Sequence, residues 1–285
     1  MFPLYFVLVP GATPLDILSN RIVWSLVLVV VALASLGRWA WLGVAVRRPR
    51  TLGAYVATAL LLSVNWFTWI WAVTNGRVVD SSLGYFMTPL VSVALGTLVL
   101  GERPRAAQWA AVVLALAGVV AMTVASGALP WIGLLLAASF GAYGLVRKTA
   151  PLGALEGLTL ETLLLFPLAL GYLAWHWGAG PTSFPAESIG TTLWLIGLGP
   201  GTAIPLLCFA YGARRLPLTT LGLLQYLSPS IQFALGILVF GEALGAGRLA
   251  GFALIWAGLA IYSADAWRQR GRPLAAPSAE HPEPA

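Results

Sequence analysis

Apolar runs close to the roughly 20 residues that a helix needs to cross a bilayer core recur down this chain, separated by Gly, Pro, Arg or short polar turns. The pattern predicts ten spans, over residues 2–9, 14–36, 52–75, 79–100, 105–125, 129–146, 152–175, 189–213, 217–240 and 246–265. The expected fold is an all-α polytopic membrane protein of ten transmembrane helices, the first of them abnormally short.

Composition agrees. Of 285 residues, 59% are hydrophobic and 9% charged, against about 25% charged in soluble domains, and the mean hydropathy is +0.86. Such a surface would not stay in water. A formal charge of +6 is a feature of nucleic-acid binders too, but here the basic residues cluster between apolar runs, as topology signals do. The expected surroundings are a lipid bilayer, with no nucleic-acid partner. The single cysteine, Cys208, lies within an apolar run and excludes an intramolecular disulfide.

One phrase occurs twice, as ALGTLVLGE at 94–102 and ALGILVFGE at 234–242. Sliding the chain against itself until Ala94 meets Ala234 also aligns Leu83 with Leu223, Pro89 with Pro229, Gly118 with Gly258 and Asp16 with Glu156. The duplication gives two five-span units, 1–126 and 127–266, followed by a Pro/Ala-rich tail, 267–285, expected to be disordered. An odd number of spans makes the second unit enter the membrane from the opposite face. Inverted repeats of this kind are a signature of secondary transporters. The second unit opens with residues that would pair with positions before Met1, so the first helix is expected to lack its start.

The charges fit the same scheme. Arg38, Arg47, Arg48, Arg50, Arg103, Arg105, Arg147, Lys148, Arg214, Arg215, Arg268, Arg270 and Arg272 all fall on one side of the ten-span arrangement. That side is expected to be cytoplasmic, together with both termini. The turn Arg77–Asp80 is balanced in charge and falls outside, whereas its counterpart in the second unit carries Arg214 and Arg215.

The run NWFTWIWAVTNGRVVDSSLGYFMTPLVSVALGTLVLGERP, Asn65 to Pro104, and the upstream PLDILSNRIVWSL, Pro14 to Leu26, resemble the RarD permeases of the EamA branch of the drug/metabolite transporter superfamily. The likeness extends over most of the chain and is weaker in the second unit. It implies a ten-helix permease of the bacterial inner membrane, built from two five-helix repeats, that moves a small organic metabolite or drug-like solute, more as an exporter than as an importer.

Several residues are candidates for the solute site. Tyr85, Pro89, Ser92 and Gly96 are spaced to share one helix face, and their counterparts in the second unit are Gln225, Pro229, Gln232 and Gly236. A proline inside a helix frees a carbonyl and bends the helix. These stripes either line a polar pathway or pack two helices closely through small residues. Asn65 either contacts solute or joins two helices, since an unpaired amide in hydrocarbon is costly. Trp66 and Trp69 offer faces for an aromatic or cationic solute, unless they belong with the tryptophans that meet lipid.

Arg21 and Glu161 coincide under the same shift and are the most expensive residues in predicted spans. About 10 Å into their helices from opposite faces, they are placed to approach each other near the midplane. Arg21 would hold an anionic group and Glu161 would couple transport to protons, or both snorkel to the nearer interface. Glu102 and Glu242, which end the repeated phrase, are expected to cap the helices that follow them. The pairs Gly197/Gly201 and Gly247/Gly251 have the spacing of close helix contacts and leave a homodimer open.

His176, His281 and Cys208 make no metal cluster, and no Walker loop, paired-aspartate motif or nucleophile elbow is present. No cofactor and no enzymatic activity are expected. The functional expectation is alternating access around a site between spans 3, 4, 8 and 9. A membrane scaffold or assembly partner that does not transport is the alternative.

Overall fold

A computed structural model of the chain describes residues 13–75, 77–127, 131–176, 188–228, 230–231 and 246–270. The expected first span, Pro229, Gln232, Gly236, Glu242 and the tail beyond Arg270 lie outside them. The described elements are helices α1 (Pro14–Leu36), α2 (Ala40–Arg47), α3 (Pro49–Thr74), α4 (Val78–Leu98), α5 (Ala106–Ser126), α6 (Trp131–Thr149), α7 (Ala154–Trp175), α8 (Ile189–Ala213), α9 (Leu218–Gln225) and α10 (Ala246–Arg270). Five stretches, α1, α3, Ala106–Val124 within α5, α7 and α8, are long and apolar enough to cross a membrane. Val31, Leu60, Val113, Leu168 and Ile204 point outward, each more than half exposed, as lipid-facing side chains do.

Local chemistry sets the helix ends. Thr13 and Asp16 form a capping box ahead of α1, Pro14 occupies its first turn, and Gly37 closes it at φ +63°. Helix α2, absent from the ten-span pattern, lies in the basic segment after α1 and buries Ala45 while Trp39, Val44 and Val46 stay exposed. Eight residues are too few to span a bilayer.

Four helix starts recur at the spacing of the repeated phrase: Pro14 and Ala154, Pro49 and Ile189, Val78 and Leu218, Ala106 and Ala246. Related helices run antiparallel where they touch. The start of α1 meets the end of α7, where the Tyr172 hydroxyl donates to Asp16 at 3.2 Å. Helix α4 meets α9 through Pro89 against Gly222 and Gly96 against Thr219. Between α5 and α10, Gly118 faces Gly251 and Gly258 faces Ala111, contacts that exchange places under the same shift.

A Cβ on Gly118 would lie 2.7 Å from the Gly251 carbonyl oxygen, and one on Gly258 would lie 2.8 Å from that of Ala111. Gly251 therefore serves a close contact inside the chain. Gly251→Val is expected to force α10 off Met122 and to cost about 2 kcal/mol. The check is a lowered thermal midpoint in detergent, beside an unchanged one for Gly43→Ala, where a Cβ meets nothing.

Candidate functional site

Four of the residues singled out in the sequence gather where α1, α3, α4 and α8 converge. Arg21, on α1, is buried at 7% exposure. Its guanidinium lies over the Trp66 ring, 4.6 Å from the centroid, and its Nε donates to the Thr202 hydroxyl of α8 at 2.8 Å. Trp69, one turn along α3, hydrogen-bonds to Tyr85 of α4, which lies within electrostatic reach of Arg21. Helical spacing explains the grouping: Trp66 and Trp69 are one turn apart on α3 and share a face.

Trp66 and Trp69 are 4% and 7% exposed, whereas Trp109, Trp131, Trp175, Trp194 and Trp267 are 40–81% exposed. The two tryptophans beside Asn65 thus belong to the interior. A guanidinium held between an aromatic face and a hydroxyl keeps its charge at low dielectric. Such a site suits a solute with a carboxylate or an aromatic ring.

Asn65 ties α3 to α6, its Nδ2 donating to the Leu136 carbonyl at 2.9 Å and to the Ser139 hydroxyl at 3.0 Å. Of the α4 stripe, Tyr85 alone joins the Arg21 group. Pro89, Ser92 and Gly96 pack against α9, where a Cβ on Gly222 would sit 2.9 Å from both the Pro89 carbonyl oxygen and the Ser92 Cβ. Gln225, at the end of α9, is half-buried, and its Nε2 has no hydrogen-bond partner among the described residues. A crevice of about 360 Å³ between α4, α5 and α6 lies apart from this group, lined by apolar side chains such as Leu90, Val120 and Leu134.

Glu161 does not meet Arg21. Because α1 and α7 run antiparallel, each residue sits about 10 Å from the opposite end of the bundle, and Glu161 pairs with Arg147 of α6, both side chains fully buried, at Nε–Oε1 3.6 Å. In the sequence, Arg147 reads as a topological charge in the turn after span 6. It lies instead inside α6, on the stripe Ile132, Leu136, Ser139, Tyr143 and Arg147, all buried. That periodicity is the signal that could have found it.

Glu102 caps a different helix from the expected one. The first turn of α5 is closed by Gln108, whose Oε1 accepts from the Arg105 amide at 2.8 Å. The Glu102 carboxylate instead accepts from the amides of Leu218 and Thr219 at 2.6 and 2.8 Å and from the Thr219 hydroxyl at 2.7 Å. Lys148 Nζ lies 3.6 Å away. The acid that ends span 4 therefore holds the start of α9. Glu156, its side chain buried, pairs with Arg38 in the first turn of α7.

Comparison with known proteins gives a consistent result. Residues 2–124 match the EamA-like transporter family. Protein RarD of Streptomyces exfoliatus is 48% identical over 95% of this chain and 86% of its own length. An uncharacterized transporter of Pseudomonas aeruginosa is 46% identical over 95% of this chain and 91% of its own. A solved structure, 19% identical, superposes with a TM-score of 0.68 over 95% of this chain and 94% of that one, a likeness of fold.

Proposed function

The chain belongs to the RarD-type permeases of the EamA-like transporter family, and from that membership we propose that it exports a small amphipathic, amino-acid-like solute across the bacterial inner membrane. The observation that carries this reading is Arg21, buried among Trp66, Trp69, Tyr85 and Thr202 in the apolar bundle. The guanidinium receives the carboxylate of the solute, and the indoles receive its apolar body. Gln225 extends the same pathway from the second repeat; its sequence companions Pro229 and Gln232 lie outside the described residues.

Movement proceeds by alternating access between two inverted five-helix repeats, 1–126 and 127–266. The recurrence of helix starts at the spacing of the repeated phrase and the antiparallel course of the related pairs support this arrangement. The arginine-rich end faces the cytoplasm, and with it both termini.

The test is uptake of labelled amino acids and small aromatic carboxylates into proteoliposomes. Arg21→Ala is expected to raise KM about tenfold, equivalent to roughly 1.4 kcal/mol of binding. Arg21→Lys, which keeps the charge without the planar fork, is expected to fall between. Transport by Arg21→Ala with wild-type KM would remove this site.

A further inference from the structure

The interior holds a second ionisable group that the solute site does not use. On α7, Glu161 is fully buried, and so is Arg147 on α6. Their facing atoms, Oε1 and Nε, stand 3.6 Å apart, and neither has a hydrogen-bond partner among the described residues. Charge-assisted hydrogen bonds between such groups are about 2.7–2.9 Å long and are frequently bidentate. This pair remains open.

Arg147 is held by other groups. Its Nη1 donates to the Tyr55 hydroxyl at 3.2 Å, and its Nη2 donates to the carbonyls of Ala154 at 3.0 Å and Gly153 at 3.4 Å. All three acceptors are neutral, so the guanidinium keeps its hydrogen bonds whichever charge Glu161 carries. Glu161 is held by neutral hydroxyls: its Oε2 accepts from the Tyr143 hydroxyl at 3.4 Å, and the Thr58 hydroxyl is its other hydrogen-bonding neighbour. Burying a carboxylate is costly unless it is both paired and hydrogen-bonded, and this one has a cation 3.6 Å away and only neutral hydroxyls to bond it.

The other groups near Glu161 have their own partners. From α3 come Tyr55, whose ring lies 5.5 Å from the Arg147 guanidinium carbon, and Thr58, whose hydroxyl donates to the Tyr55 carbonyl at 3.0 Å. The ionisable groups of α1 are engaged nearer the opposite end, Asp16 with Tyr172 and Arg21 with Thr202 and Trp66. From the end of α8, Arg214 donates to the carbonyls of Ala150 and Leu152. The Tyr55 hydroxyl also bonds the Leu152 backbone, accepting from its amide at 3.1 Å. One side chain thus links the pair to the half-buried turn between α6 and α7.

We propose that the Arg147–Glu161 pair is a proton-binding site of the carrier, Glu161 alternating between carboxylate and carboxylic acid while Arg147 stays charged and anchored. The proton adds to Oε2. The Tyr143 hydroxyl then turns from donor to acceptor, the new acid donates to its oxygen, and the pair gains one positive charge. Solute movement is thereby coupled to a proton, a step that rests on the permease reading.

The test is infrared difference spectroscopy of the purified full-length chain in lipid nanodiscs, titrated with pH. The wild type is expected to show the carbonyl stretch of a protonated carboxyl growing as pH falls, and Glu161→Gln to lose that band. Should Glu161→Gln fail to fold, Glu161→Asp keeps a carboxyl there and is expected to shift the band. A band untouched by either substitution, or no titrating band in the wild type, overturns the proposal. The solute assay separates the two readings: a titrating Glu161 band in protein that moves no labelled solute keeps the proton site and removes the amino-acid-like solute reading. Solute flux in protein without the band does the reverse.

Discussion

Gly199→Ala is expected to lower the thermal midpoint of the purified protein and to weaken solute transport together. A Cβ at Gly199 would overlap the Trp24 carbonyl carbon and oxygen, so the clash is between two helix backbones and no side chain can rotate out of the way. Helices α1 and α8 would have to separate, at a cost of about 3 kcal/mol. The same contact holds the Ser25 hydroxyl 3.3 Å from the Gly199 carbonyl, and Arg21 reaches Thr202 one turn away along both helices. Separation therefore pulls the guanidinium off its hydroxyl. Gly171→Ala is the control, because nothing lies near a Cβ there and alanine is favoured over glycine inside a helix by about 0.5–1 kcal/mol. A Gly199→Ala variant with a wild-type midpoint would mean that α1 and α8 do not approach as closely as described.

Helix positions were legible because the signal behind them is dense: an apolar run of span length broken by proline, glycine or arginine. The predicted limits 14–36 and 189–213 coincide with α1 and α8. The Arg21 group was legible in part, since a charge inside a span is rare enough to mark. Its hydroxyl, Thr202, had no mark, because threonine is common in membrane helices and its partner lies 181 residues away in the chain. Asn65 shows the same limit. Its need for a partner was evident from the cost of an unpaired amide, but the choice between solute and α6 depended on packing that the periodicity of one helix does not encode.

Charge was the feature most easily misread. Arg147 sits beside Lys148 at the end of α6, where topology explains a basic pair without further argument. Only the buried stripe from Ile132 through Tyr143 separates the inward residue from its neighbour, whose Nζ donates to the Leu216 carbonyl at 2.6 Å. Gly157 carries the matching mark on α7, since a Cβ there would overlap the Arg147 guanidinium. The absent side chain on one helix makes room for the long one on the other.

Glu102→Ala is expected to cost about 3 kcal/mol, because it leaves the Leu218 and Thr219 amides without their acceptor at a helix start that favours negative charge. Glu102→Gln keeps one acceptor oxygen and should lose less. The acid end of the pH range distinguishes the charge from the hydrogen bonds. Burial acts to raise the Glu102 carboxyl, but the amides and hydroxyl that donate to it, with the Lys148 charge, outweigh burial and hold it below the ordinary value of 4.5. A carboxyl lowered in the folded state stabilises fully above its unfolded value and loses that contribution as pH falls through its folded value. The wild type should therefore unfold at a higher temperature than Glu102→Gln at neutral pH, with the gap closing only as the pH drops below about 4.5. A gap independent of pH would assign the stabilisation to hydrogen bonding alone. Gly96 bears on the same contact, because a Cβ there would lie 2.7 Å from Glu102 Oε2 and 3.1 Å from the Thr219 hydroxyl. The glycine of the repeated phrase thus leaves space for the glutamate that ends it, and the phrase encodes a helix together with the cap that helix supplies to α9.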